Sequence, residues 1–300
     1  MNSLFTMIPS ILMIVAPILI TATGGMICER AGVVNIALEG LMGVGAFTAA
    51  TLHYFLEPST PASVWIALLG GAGIGMAVSL IHAFASVTLN ADQVISGTGI
   101  NLLAMGGTTF VAQIIFKMER TAPFRLGMMP GIFGVYPTAW VAVAVVAAAW
   151  FLLYKRPFGI RLRACGEHPH AAASAGIDVR KMRYVAIMMS GALAGLAGGC
   201  LVLTQTIQYT IYTINGAGFI ALAAVSFGRW LPMGIAGASI LFGTAVSLAI
   251  YMVNIQGLRF LPSEFFSVIP YIITLATLVL FSGKDFAPRA SGQPYERGGS

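Results

Sequence analysis

Residues 155–183 read KRPFGIRLRACGEHPHAAASAGIDVRKMR. The stretch is a charged island in an apolar chain. Lys155, Arg156, Arg161, Arg163, Arg180, Lys181 and Arg183 lie in it, out of 16 Lys and Arg residues in all, against only Glu167 and Asp178. Basic loops are retained on the cytoplasmic side of a membrane, so the island orients whatever surrounds it. It also carries a helix signal of its own. Pro169 suits a first turn, where its missing N–H would be unpaired anyway. Ala171, Ala172 and Ala173 are strong helix formers with little bulk, and Gly176 suits the left-handed turn that ends a helix. A helix this short is marginal alone, so it has to be held by packing. Its small side chains leave room for a partner's groove; the alternative is a solvated loop that only enforces topology.

Working outward, the 300 residues are 58% hydrophobic and 9% charged, with a mean hydropathy of +0.88. A soluble domain carries roughly a quarter charged residues. The chain therefore reads as all-α, a polytopic transmembrane helical bundle. The net charge of +6 is a topology signal and not a nucleic-acid footprint, because the basic residues bracket hydrophobic spans. Apolar runs long enough to span mark off at Leu4–Thr23, Val33–Phe55, Ala62–Thr88, Val94–Phe116 and Pro137–Tyr154 before the island. Tyr184–Thr206, Gly216–Phe227, Leu231–Val253 and Phe265–Phe281 follow it. That makes about nine spans in a transmembrane domain over residues 1–283, with 155–183 as its cytoplasmic loop. Residues 284–300, rich in Gly, Pro and Ser with mixed charge, read as a disordered cytoplasmic tail.

Alternation from the island puts Lys117–Tyr136 and Asn254–Glu264 outside, Arg229 and the tail inside, and the N-terminus outside. The first basic residue is Arg30, so the first run reads as a retained span and not a signal peptide. A re-entrant or broken helix at Gly24–Ala37 would change the count. Gly71xxxGly75, Gly191xxxGly195 and Ala194xxxGly198 predict close helix–helix approach. Gly70–Gly75 (GGAGIG) lacks the Lys-Ser/Thr of a phosphate loop and reads as packing.

No catalytic or metal-binding pattern stands out. HExxH and GxSxG are absent, and Cys28, Cys165 and Cys200 are scattered. His168 and His170 are two apart and do not share a helix face. His53 and His82 sit near span ends and read as interfacial. No cofactor is expected. Three polar residues at membrane depth stand out instead. Glu39 lies in an apolar stretch, with Asn35 one helical turn before it. Glu39 either lines a translocation path or holds the bend of a broken helix. Asn101 lies deeper in a span that Asp92 is placed to cap, and either touches permeant or bonds a neighbouring helix.

Four segments, GGMICERAGVVNIALEGLMGVGAF (24–47), NADQVISGTGINLLA (90–104), RACGEHPHAAASAGIDVRKMRYVAIMMSGALAGLAGG (163–199) and GFIALAAVSFGRWLPMGIAGA (218–238), together resemble permease subunits of bacterial ABC importers. They are similar to the branched-chain amino acid and simple-sugar permease superfamily, and within it to the shorter of the two permeases of nucleoside importers. The resemblance covers most of Gly24–Phe281. It implies a multi-pass protein of the bacterial inner membrane that is not itself an enzyme. Its implied partners are a paralogous second permease, a cytoplasmic ATP-binding subunit, an extracytoplasmic substrate-binding (lipo)protein and membrane lipid. It also implies that Glu167, His168, Pro169, His170, Ala171, Ala172, Ala173 and Gly176 form the coupling helix that docks in the ATPase. Arg161, Arg163, Arg180, Lys181 and Arg183 flank it, within reach of anionic lipid or acidic ATPase residues. Lys117, Glu119, Arg120 and Arg125 are external candidates for contact with the binding protein, or solvated loop residues. Few ionisable residues lie within the spans, which favours a neutral polar permeant. The same family importing a simple sugar or branched-chain amino acid, and an ATPase-independent secondary transporter, are the competing readings.

Overall fold

The computed structural model describes residues 2–131, 134–253, 268, 272 and 286–295. Every regular element among them is helical: α1 (Asn2–Arg30), α2 (Leu38–Leu56), α3 (Ser63–Ala83), α4 (Gln93–Phe116), α5 (Pro137–Lys155), α6 (Pro157–Glu167), α7 (Pro169–Ser174), α8 (Val179–Gln205), α9 (Ala217–Phe227) and α10 (Pro232–Val253). A π-helical turn at Phe84–Thr88 extends α3. Six of these elements are long and apolar enough to cross a membrane: α1, α3, α4, α5, α8 and α10. The expected span Phe265–Phe281, the outer loop Asn254–Glu264 and most of 284–300 fall outside the described residues.

The expected span Gly216–Phe227 is not a membrane-long helix. Helix α9 has 11 residues, about 16 Å of rise, or half of a ~30 Å hydrocarbon core. Residues 206–216, before it, are non-helical. The expected span Val33–Phe55 also starts late. Helix α1 runs to Arg30, residues 31–37 form a break, and α2 begins at Leu38.

Helices α1 and α8 are the centre of the bundle. The apolar windows of α1 and α8 are 78% and 67% buried inside the chain, against 22% for α4 and α5. Glycines let α2, α3 and α8 meet there at backbone distance. A Cβ on Gly195 would lie 2.2 Å from the Gly71 carbonyl oxygen, one on Gly75 2.3 Å from Gly191 O, and one on Gly45 2.3 Å from Gly195 O. Gly71 and Gly75 thus face Gly191 and Gly195 across α3 and α8, while Gly198 meets Met42 of α2, and dispersion between close backbones substitutes for a hydrophobic effect that lipid cannot supply.

The two ends of the bundle are separated by their contacts. At the island end, the backbone N–H of Ala290 donates to Gly166 O at 2.9 Å, and the Arg30 guanidinium donates to Trp230 O at 2.9 and 3.0 Å. At the far end, Glu57 accepts from the Arg125 and Leu126 amides at 2.9 and 2.7 Å, and Pro9 of α1 lies against Gly134. The N-terminus is therefore at the end opposite the basic island. His53 and His82, expected at the interface, are buried instead, at 1% and 0% exposure. Each ring finds hydrogen-bond partners inside the bundle: Leu126 O for His53, and Val34 O and Ser96 Oγ for His82.

Part of the tail has contacts of its own. Residues 286–295, read as disordered, lie against the island. Gln293 O accepts from Arg183 Nη1 at 2.9 Å, and Tyr295 packs with Cys165, Ala172 and Val179. Composition reports flexibility for a segment that finds no apolar partner, and Tyr295 finds one.

Candidate functional site

The polar residues singled out at membrane depth converge, but in different roles. Asn35 is not in a helix and does not share a helix face with Glu39; it lies in the 31–37 break. It is fully buried, donates from Nδ2 to Ser190 Oγ at 2.9 Å, and accepts the Ala37 amide on Oδ1 at 3.2 Å. Asn101 of α4 bridges the two sides of the break. Its Oδ1 accepts the Gly40 amide at 2.8 Å and its Nδ2 donates to Ile36 O at 3.0 Å. Gln93 Oε1 accepts the Val34 amide at 2.7 Å, and His82 faces Val34 O at 3.2 Å. Side chains from α3, α4 and α8 thus replace the ladder that the broken helix lost, as unpaired backbone at membrane depth demands.

Glu39, in the first turn of α2, reaches across to α9. Its two carboxylate oxygens accept the Gly216 and Gly218 amides, each at 2.7 Å. These are unpaired donors of the α9 N-terminus, and an acceptor with negative charge at that end is favoured by both capping and dipole. Gly218 has to be glycine: a Cβ there would sit 2.5 Å from the Glu39 backbone. By the length of α9, Glu39 lies about 16 Å from the turn at Trp230.

That turn is itself pinned. Arg229 and Trp230 have φ of +54° and +53°. Trp230 Nε1 donates to the buried Glu29 carboxylate, and Arg30 grips the Trp230 carbonyl. Glu29 and Arg30 are site residues that the sequence marks only by their adjacency to an apolar run.

The break before α9 is built otherwise. Residues 204–215 read TQTIQYTIYTIN. They contribute most of the lining of a cavity of about 480 Å³, which α1, α8, α9 and α10 complete through Ile14, Ile18, Leu201, Ala217, Ile220, Val246 and Ile250. The sequence signal was present: an uncharged run of Gln, Thr, Tyr and Asn precedes an apolar segment too short to span.

At the island, α7 forms between Pro169 and Ser174, and Gly176 follows at φ +80°. Its amide donates to Ala173 O at 2.9 Å and that of Ile177 to Ala172 O at 3.0 Å, the cap that a left-handed glycine permits. Ala172 points inward and is 4% exposed. His168, His170 and Ala171 are exposed, while Glu167, Pro169 and Ala173 are half-buried. The Cys165 thiol beneath is pushed up to about 11 by burial. Arg161, Arg180 and Lys181 face solvent as expected. Arg163 lies over the Tyr154 ring at 4.8 Å, and Arg183 is not available at the surface, being 1% exposed.

This is the architecture of a multi-pass membrane permease: a helical bundle with non-helical breaks at 31–37 and 206–216 and a folded knob at its basic end. Residues 7–278 match the model of the family described as branched-chain amino acid transport system / permease component, and the chain belongs to that family. It is 42% identical over 97% of its length, and 96% of the relative's, to the guanosine ABC transporter permease protein NupQ of Bacillus subtilis. It is 36% identical to the nucleoside ABC transporter permease protein NupC of Lactococcus lactis, with 98% of each chain covered. A solved inward-facing structure of a putative metal-chelate type ABC transporter shares the fold, with a TM-score of 0.54 and 16% identity, covering 91% of this chain and 86% of that one. The chain is accordingly a transporter subunit of the inner membrane rather than an enzyme.

Proposed function

We propose that this chain is one of two permease subunits of an ATP-driven importer of nucleosides. The observation that carries the reading is the identity, over nearly the whole length of both chains, with a permease named for guanosine transport. A paralogous second permease completes the path, an extracytoplasmic binding protein delivers the permeant at the far end, and an ATPase subunit drives the cycle at the island end. The chain crosses the membrane about nine times, with 206–227 as one crossing made half of extended backbone and half of α9.

Helix α7 is the docking element for the ATPase. Its inward side is spent on Cys165, Val179 and Tyr295, so the partner meets His168, His170 and Ala171, together with Ser174 and Ala175, which are also exposed. Purification of the tagged chain from its native membrane should bring down an ATPase and a second permease, and the reconstituted complex should take up guanosine only with ATP. Uptake without any ATPase would overturn the reading. Ala171→Arg should leave the complex folded and abolish ATP-driven uptake; unchanged uptake would remove α7 from the docking role.

A further inference from the structure

We infer that the cavity lined by residues 205–215 is a water-filled binding site for an uncharged, ring-bearing polar solute, and that it forms the outer half of the permeation path. The inference deepens the proposed function and rests on it for the identity of the solute.

The backbone is the first argument. From Gln205, at the far end of α8, the chain descends without helical structure to Gly216, at the level of Glu39. Non-helical backbone at membrane depth persists only where protein buries it or water reaches it. Part of this segment is satisfied by protein. Tyr209 pairs with Thr121 through its amide and its carbonyl, at 2.9 and 3.1 Å, and the Thr210 amide donates to Thr213 Oγ1 at 2.8 Å. The Gln208 and Tyr212 amides, of two residues that line the cavity, make no hydrogen bond among the described residues. Water in the cavity is what pairs them.

The lining is the second argument. The Gln208 amide group, the Tyr212 hydroxyl and the Asn215 side chain are likewise without hydrogen bonds among the described residues. Tyr212 is 78% exposed. Asn215 is held in the left-handed region, with φ +49°, which fixes the chain just before the Glu39 contact. The described lining offers donors, acceptors, an aromatic ring and aliphatic walls, and no ionisable group except that phenol. A volume of about 480 Å³ falls within the ~300–1,000 Å³ typical of small-molecule sites. The floor is electrically closed as well. The positive end of α9, which would otherwise attract an anion, already carries the Glu39 carboxylate. A phosphorylated solute would find the Gly216 and Gly218 amides already paired and no cation in the described lining.

The native cysteines are all buried, so Thr213→Cys introduces one reactive thiol into this chain. In the assembled importer, a membrane-impermeant thiol reagent should modify residue 213, as read by mass on this chain. Saturating guanosine should protect it, and guanosine monophosphate should not. Absence of labelling, or labelling that neither solute changes, overturns the site. Gln208→Ala combined with Tyr212→Ala should lower guanosine uptake about tenfold, the loss of one or two hydrogen bonds to the permeant, with subunit co-purification unchanged. Uptake within twofold of wild type also overturns it. If the wild-type complex carries no guanosine but the reagent is excluded by another neutral solute, the proposed cargo fails and the site stands.

Discussion

Helical structure breaks at 31–37 and at 206–216, and the two breaks are built on opposite terms. The first is sealed. Gln93, Asn101, His82, Ser190 and Asn35 each give it a hydrogen bond from a neighbouring element or from within. The second leaves amides and side chains unspent and borders a cavity. Glu39 joins them, sitting where the first break ends and capping the helix that ends the second. A break closed by side chains is a fixed corner, while one left to water is a surface a solute can use.

The sharpest way to break this comparison is at the joint. Glu39→Ala strips two charged hydrogen bonds from the α9 N-terminus and should cost about 3–6 kcal/mol. Thermal unfolding in detergent, followed by size-exclusion chromatography, should show little folded protein. Glu39→Gln keeps an acceptor for one amide and should lose roughly half as much. A Glu39→Ala protein as stable as wild type would mean that the carboxylate does not hold the corner.

The sealed break is tested next by Asn101→Ala. It orphans the Gly40 amide and the Ile36 carbonyl together and should cost about 2–4 kcal/mol by the same assay. A loss below 1 kcal/mol would mean that water reaches this break too, and the distinction between the two would fall.

Glu57 offers a smaller and local effect. The loop after α4 pairs with the open break through Phe124 N to Ile207 O and Thr121 N to Tyr209 O, and Glu57 pins that loop. Burial pushes the Glu57 carboxyl up, but the Arg125 and Leu126 amides, with the charges of His53 and Arg125, more than offset it and hold it below the ordinary range. Because the folded value is depressed, the stabilisation is full above the ordinary Glu value of about 4.3 and is lost as the pH falls through the lower, folded one. Protease cleavage within 117–131 should therefore rise only below about pH 4. Glu57→Gln should show raised cleavage already at neutral pH.

How much of this the sequence carried differs between the regions for physical reasons. Helix α7 was legible in detail because Pro169, the alanines and Gly176 act locally. Which way it faces was not, since Ala172 is turned inward by Tyr295, more than 120 residues on. The glycine pairs announced close packing, and the structure sets them against each other across α3 and α8. Glu39, Asn35 and Asn101 were legible as polar residues at depth. Their partners were not, because Gly216, Ser190 and Gly40 offer backbone or a small hydroxyl that carries no signature. The break at 206–216 was hidden because its polarity is spread over neutral residues, and charge is what marks a boundary most clearly.

The smallest effect completes the comparison, because it pairs one glutamine from each break. Gln93 accepts the Val34 amide and is 3% exposed, so Gln93→Ala leaves a part-buried donor unpaired and should cost about 1–3 kcal/mol. Gln208 is half-buried and its side chain bonds nothing among the described residues, so Gln208→Ala should move stability by no more than ~0.5 kcal/mol. The same residue type, removed by the same change, then reads out whether its break is held by protein or by water. Equal losses at the two positions would mean that Gln208 is structural, and that the second break is as closed as the first.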